Sequence, residues 1–372
     1  MTRVSYSYVP DAWRHEDFLR HGGFTVVFLN YNKSQFIEKS VESALRQDYP
    51  ILEMFFMDDA STDGSGDIME RIVQQYHGCH KVTVVRNSEN QGITGQWNIV
   101  SKLAAGEWFG MFCGDDIAHP DRVSIVAERV KKYPTLRGIS TAAVDIDVDS
   151  GCPLPDSHYV PVSYSAMGTD SWASLDANFR SNGSTSFWHK SLFDDPLPKV
   201  PLDDNYLHFK LFVLNKGVDA PIFYYDSSAK TIDYSCGVGV CSGGVVVQKN
   251  ASERCKWMQD IVRYKKFLSK WVVTMQLALT YAKEKGITST NLIPFQCSLL
   301  WCKIRAGNTL SRLLIFPILC KELMFSHVPQ SRKRQLVRAF LYYFSFEFVG
   351  LRIASFFRQF AKWMGSQCRL HY

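Results

Sequence analysis

The chain has 372 residues, enough for one large α/β domain with an appendage or for two domains. Hydrophobic residues make up 46% and charged residues 21%, which fits a packed globular protein and leaves out repeat and low-complexity architectures. The net charge of +6 is uneven: residues 301–372 hold twelve Lys or Arg against two acids, Glu322 and Glu347, so the remainder is mildly acidic. Ten cysteines are scattered without a C-x-x-C pair, which argues against a structural zinc site. The first 22 residues show no apolar leader run, so a secretory signal is not expected and the thiols fit a reducing compartment.

In chain order, "GFTVVFLNYN" (23–32) reads as a β-branched strand ending in polar residues, and "SQFIEKSVESALRQ" (34–47) as a helix with Ser34 as N-cap. "LEMFFMDDAS" (52–61) is a second strand, ending in Asp58-Asp59. "DGSGDIMERIVQQYHG" predicts a helix with a Gly78 stop, and "KVTVVRN" (81–87) a third strand. "TGQWNIVSKLAAGEW" (94–108) predicts another helix, closed by Gly106. It leads into an apolar strand, 107–113, broken by Gly114 and followed by Asp115-Asp116. Pro120 suits the first turn of a helix through "RVSIVAERVKKY". This alternation calls for a doubly wound, mostly parallel sheet whose ligands bind at the carboxyl ends of the strands. There the polar groups Asn30-Tyr31-Asn32, Asp58-Asp59, Asn87 to Gly92 and Asp115-Asp116 share one rim. Neither a G-x-G-x-x-G fingerprint nor a P-loop is present. An acidic rim becomes a phosphate site when a hard divalent cation sits between carboxylate and phosphate.

Four elements then carry a resemblance. They are the first-strand Tyr-Asn before a helix, the Asp-Asp-x-Ser-x-Asp turn, the Asn-x-Gly plus helix, and the acidic pair before Pro-Asp-Arg. In this order they resemble the family 2 glycosyltransferases of GT-A fold, well over residues 24–135 and more loosely over 180–215. The resemblance implies an α/β GT-A sheet with helices on both faces, while the residues after about 250, where the alternation stops, read as a C-terminal helical, basic-aromatic appendage. The expected division is an N-terminal extension (1–22), a glycosyltransferase domain (23–249, with a nucleotide-sugar half 23–135 and an acceptor half 136–249) and a helical C-terminal region (250–372).

Carried over by position, the resemblance implies that Tyr31 packs on the nucleotide base and Asp59 accepts from its N3–H, with Asp58 as strand-end support. Asn30 stands where the family has a small hydroxyl residue and would alter contacts to the base. Asp115 would hold the ribose, and Asp116 would hold Mn²⁺ or Mg²⁺ against the diphosphate, with Asp115 a further metal candidate and a third ligand unassigned. In "PLDDNYLHFKLF" (201–212), Asp204 would be the general base, with Asp203 as the fallback. Asn98 and Gln96 are candidates for nucleotide contact, Trp188 for stacking on a sugar or for the core, and 236–244 for an acceptor-side lid. The bland alternatives are turn and N-cap roles for Asp58 and Asp59, a solvated loop for Asp115 and Asp116, and helix capping for Asp204.

The implied function is inverting transfer from a nucleotide-activated sugar, a UDP-sugar first, to a glycan or lipid-linked acceptor in cell-surface polysaccharide synthesis. The rivals are an inactive nucleotide- or glycan-binding scaffold and a sugar nucleotidyltransferase. Segments 311–325 and 332–365 mix aromatics with cations but have no run of eighteen uncharged apolar residues. They fit a helix lying on an anionic membrane surface at its cytoplasmic face, or a helical appendage on the domain; a nucleic-acid partner is not expected.

Overall fold

A computed structural model describes residues 2–148, 150–154, 183–214, 222–235 and 261–286. Its strands are β1 (Arg3–Tyr8), β2 (Phe24–Asn30), β3 (Glu53–Asp58), β4 (Lys81–Arg86), β5 (Trp108–Cys113), β6 (Ile117–Ala118), β7 (Gly138–Ile146), β8 (Ser186–His189) and β9 (Phe223–Ser235). Its α-helices are α1 (His15–Arg20), α2 (Ile37–Leu45), α3 (Ser65–Gln74), α4 (Gly92–Leu103), α5 (Arg122–Lys132), α6 (Asp203–Leu214) and α7 (Ile261–Glu284). Among the described residues these strands form one sheet in the order β1-β4-β3-β2-β5-β8-β7-β9-β6. The unit β4-β3-β2-β5 is parallel throughout, as is β7-β9, while β8 joins the two antiparallel to both.

β2 is buried at every position, which is why it reads as a continuous apolar run rather than an alternation. Its side chains nevertheless divide by the pleat. Val27 and Leu29 enter a core with Trp97 of α4, Leu207 of α6 and Trp271 of α7, whereas Val26 and Phe28 enter a core with Val41, Met69 and Val123 of α2, α3 and α5. The sheet is thus covered on both faces.

One sequence expectation changes. Ser34 is not the N-cap of α2: its N–H is taken by Asp63 Oδ2 (2.8 Å), and the helix instead begins after Phe36, whose N–H and that of Ile37 both bond to Lys33 O. Within residues 1–22 the chain forms the edge strand β1, antiparallel to β4, and a short helix whose Phe18 is fully buried. The helix α7, within 250–372, packs on the rest of the fold: Trp271, Met275, Ala278, Leu279 and Ala282 form one buried stripe in the same core as α6. Beyond that stripe, Lys285 Nζ (2.7 Å) and Tyr281 OH (3.2 Å) both bond to Asp195 Oδ2, while Lys210 Nζ bonds to Asp195 O (2.8 Å). The segments 311–325 and 332–365 and the expected lid at 236–244 lie outside the described residues. Among the described residues no helix is long and apolar enough to cross a membrane.

The packing of α7 yields a prediction. Trp271→Ala should lower the unfolding free energy by about 3–5 kcal/mol in urea denaturation. A change under about 1 kcal/mol would mean that α7 does not belong to this core.

Candidate functional site

Sheet register brings the candidate residues to one edge. Asn30 pairs with Asp58 and Asp58 with Arg86 at the carboxyl ends of β2, β3 and β4, while Leu29 pairs with Cys113 of β5. Past the last pairs the backbones stay stitched: Asp59 N–H donates to Asn30 O (3.0 Å), Asn87 N–H to Asp58 O (2.9 Å) and Gly114 N–H to Leu29 O (2.9 Å).

Each carboxylate on this rim is buried, and each draws donors from another part of the chain. Asp58 accepts from Asn30 Nδ2 (2.8 Å) and faces Arg86 Nε (3.6 Å). Asn30 also donates to Ser61 Oγ and Ser65 Oγ, so its amide braces the β3–α3 turn from inside. That is the physical reason for Asn here: a buried carboxylate beside two hydroxyls needs an N–H donor. The turn carries Ala60 in the left-handed region (φ 62°), and Gly66 lies where a Cβ would stand 2.7 Å from Asp58 Oδ2.

Asp59 does what capping would require, but for a different helix than its own turn. Oδ1 accepts from Asn87 Nδ2 (2.9 Å) and Gln91 N–H (2.8 Å), and Oδ2 accepts from Gly92 N–H (2.9 Å), the first residue of α4. Three of the roughly four acceptor positions of a carboxylate are thereby filled. Tyr31, by contrast, is 46% exposed on the same rim and offers an open ring face.

Asp115 and Asp116 differ in their surroundings. Asp115 Oδ2 pairs with Lys33 Nζ at 2.6 Å, a cation that is distant in sequence and therefore escaped the sequence reading. Asp116 accepts from Ser184 Oγ and, at Oδ1, from Ser235 N–H (3.0 Å). Its own carbonyl accepts from Ser40 Oγ (2.5 Å), and Ser43 Oγ accepts from Ala118 N–H (3.0 Å), so α2 holds the loop that carries the pair. Burial, and then the charge of Asp115, raise the Asp116 pKa well above the ordinary carboxylate range. Beneath them Arg122 is fully buried, 3.9 Å from the Phe112 ring and 4.7 Å from the Phe187 ring, and burial pushes its pKa down to about 9.

A hard divalent cation fits part of this set. Ligand atoms of Cys113, Asp115 and Asp116 all lie within 4.8 Å of one another. Two carboxylates suit Mn²⁺ or Mg²⁺, whereas the Cys113 thiol is soft and burial drives its pKa up, so Asp115 and Asp116 are the oxygen donors available. Lys33 Nζ is the cation that the Asp115 carboxylate already attracts.

Asp203 and Asp204 open α6, in which Tyr206, Leu207, His208, Phe209, Lys210 and Leu211 are all buried. Trp97 Nε1 of α4 donates to Asp203 Oδ2 at 3.0 Å. Asp204 Oδ1 accepts from Asn205 N–H (2.8 Å), and burial followed by the neighbouring Asp203 charge raises its pKa to about 7. A polar pocket of about 390 Å³ lies between the start of α4 and the 194–202 segment, lined by Glu89, Gln91, Thr94, Asn98, Leu197 and Lys199 among others.

Three further candidates are engaged within the fold. Asn98 spends both amide atoms on one backbone position, donating to Leu197 O (2.8 Å) and accepting from Leu197 N–H (2.7 Å), so it ties α4 to the 194–202 segment. Gln96 is buried within the fold. Trp188 is 1% exposed and packs edge-on to His208 (4.8 Å), which makes it core and not a sugar platform. Asn87 lies on the expected rim, whereas Lys33, Ser184, Ser235 and the Trp97–Asp203 bond were not foreseen; of these only Lys33, in the polar turn after β2, carried a local signal.

The architecture is that of the GT-A type α/β proteins. Staphylococcus aureus TarS residues 1–349, in a crystal structure titled as a complex with UDP-GlcNAc, aligns at TM-score 0.52 and 16% identity. The alignment covers 86% of this chain and 80% of that one, a likeness of fold alone. Residues 25–149 match the sequence profile of glycosyl transferase family 2. Chondroitin synthase of Escherichia coli is 32% identical over 117 residues, 32% of this chain and 16% of that protein. Glycosyltransferase GlyG of Streptococcus pneumoniae serotype 4 is 28% identical over 108 residues, 29% of this chain and 35% of that protein. The chain thus spans well under two thirds of the length of these relatives. The likeness to that family extends over residues 25–149, about a third of the chain.

The buried acids set a pH dependence. Asp204 binds its proton up to about pH 7 when folded, but only up to the ordinary carboxylate range when unfolded. Between those values the folded chain holds more protons, so this stabilisation is complete at low pH and is lost as pH rises through about 7. The urea midpoint should therefore fall from about pH 5 to pH 8, and the fall should be smaller in Asp204→Asn. A midpoint that rises across this range, or one unaffected by the substitution, would contradict the environment described for Asp204.

Proposed function

We propose that this protein transfers a sugar from a nucleoside diphosphate sugar to a hydroxyl of a glycan or lipid-linked acceptor, with inversion at the anomeric carbon. The observation that carries this reading is the rim of the family 2 domain, where Asp59, Asp115 and Asp116 gather with Lys33 at the carboxyl ends of parallel strands. A UDP-sugar is the first donor to test, in keeping with the UDP-GlcNAc named for TarS, and the chondroitin synthase likeness favours polysaccharide synthesis.

On this reading Tyr31 packs on the base, and Asp59 receives the base N3–H at the acceptor position it retains. Asp115 serves the ribose, while Asp116, with Asp115 as the second oxygen donor, holds Mn²⁺ or Mg²⁺. A bound cation of this kind supplies positive charge at the diphosphate as the leaving group departs. Lys33, released from Asp115, and Arg122 beneath the pair add positive potential to the same place. At the acceptor, Asp204 takes the proton of the attacking hydroxyl. The oxygen bonds to the anomeric carbon, the bond from that carbon to the diphosphate oxygen breaks, and the electron pair leaves with the nucleoside diphosphate. A carboxylate titrating at about 7 suits proton acceptance near neutrality.

A second reading, an inactive nucleotide- or glycan-binding scaffold, draws on the internal bonds that occupy Asp59 and Asp116. A sugar nucleotidyltransferase has less support, because no Gly-rich, basic loop follows β2. The basic, aromatic 301–372 stretch supports a peripheral position on an anionic membrane at its cytoplasmic face.

Two measurements test these statements. In a thermal-shift panel of UDP, GDP, CDP and dTDP with Mn²⁺ or EDTA, one diphosphate should raise the melting temperature only with metal, and Asp116→Ala should abolish the effect. Stabilisation by none, or by all regardless of metal, would remove the donor site. In sedimentation with vesicles, the chain should pellet with phosphatidylglycerol-containing vesicles and stay in solution with phosphatidylcholine alone, with binding lost at high salt. Equal partitioning to both would remove the membrane assignment.

A further inference from the structure

α4 joins the two halves of the site. Its first N–H groups are held by Asp59 at the nucleotide rim, and its middle reaches the segment that leads into α6. There two adjacent residues make the connection. Asn98 clamps the backbone of Leu197 from both sides of its amide, and Trp97, fully buried, places its indole N–H on Asp203 Oδ2 at 3.0 Å. Asp203 is itself buried and directly precedes Asp204 in the first turn of α6.

We propose that Trp97 is a positioning residue for Asp204 that acts through Asp203: its indole N–H fixes the Asp203 carboxylate and, with it, the helix turn on which Asp204 stands. This rests on the assignment of Asp204 as general base. A buried carboxylate without a donor is costly, and its cheapest escape is to take a proton. The indole bond favours the charged form of Asp203, and that charge in turn raises the proton affinity of Asp204. Asn98 makes a separate tie to Leu197, so α4 stays attached to this segment when the indole bond is cut. Phe at position 97 would retain a ring against Phe109 and Phe193 and remove only the donor.

The chain has nine tryptophans, so the indole N–H of Trp97 can be identified in a ¹⁵N–¹H spectrum of tryptophan-labelled full-length protein as the resonance missing from Trp97→Phe. In the wild type it should move with pH around neutrality, reporting the Asp203–Asp204 pair, and Asp204→Asn should remove that movement. A resonance that stays put from about pH 5.5 to 8.5, or that moves identically in Asp204→Asn, would overturn the proposal.

The kinetic arm uses UDP release from a panel of UDP-sugars in the presence of simple glycoside acceptors. Trp97→Phe should lower kcat by about tenfold or more at little change in KM for the donor, and shift the acidic limb of the pH profile to lower pH. Asp203→Asn keeps an oxygen for the indole and removes the charge, so it should shift the limb likewise and retain more of kcat. A kcat loss in Trp97→Phe that tracks a lower melting temperature, with the limb unmoved, would make Trp97 merely structural and overturn the proposal. Turnover retained in Asp204→Asn would instead remove the general base and with it the premise. Loss in Asp204→Asn alongside a silent Trp97→Phe would sink only the positioning role.

Discussion

The site depends on one constraint: carboxylates buried at the ends of strands must be supplied with donors. Removing an ionised carboxylate from water costs several kcal/mol unless hydrogen bonds or opposite charge replace the lost solvent. Five acids stand under that constraint here, and each is met by a group from another element. Asp58 is met by Asn30 and Arg86, Asp59 by Asn87 and the start of α4, Asp115 by Lys33, Asp116 by Ser184 and Ser235, and Asp203 by Trp97. These bonds fix the loops at the rim as firmly as the apolar layers fix the sheet.

The same bonds mark where reading the sequence succeeded and where it ran out. Hydrophobic periodicity located β2, β3, β4 and β5 and the intervening helices to within a few residues, because each signal is local. Strand ends then placed Asp59 and Asp115-Asp116 on one rim without any coordinates. The partners were not legible. Lys33 lies 82 positions from Asp115, Trp97 106 from Asp203, and Ser235 119 from Asp116. No window of the chain contains both members of such a pair. Ser34, Asn98 and Trp188 are of types that serve equally as cap, ligand and packing; only tertiary context chooses among these roles, which is why Ser34 was misread and the other two stayed open.

The two halves of the domain are of different character. The β4-β3-β2-β5 half is a regular parallel unit with its polar groups on strand ends. The other half is organised around α6, most of whose side chains are buried and which packs against α7. Asp203 at the start of that helix is tied to α4 through the Trp97 indole. Part of the chain after 250 is therefore structural support for the site, since α7 completes the core under α6.

The central claim is that Asp204, at the start of this buried helix, serves transfer of a sugar from the rim to an acceptor hydroxyl with inversion. Its most direct test is proton NMR of the first product formed from an α-linked UDP-sugar and a glycoside acceptor, followed from the start of the reaction. The account predicts a β-linked product that accumulates in step with free UDP. An α-linked product would contradict inversion by a single displacement, and bound UDP-sugar that never yields UDP would contradict transfer itself.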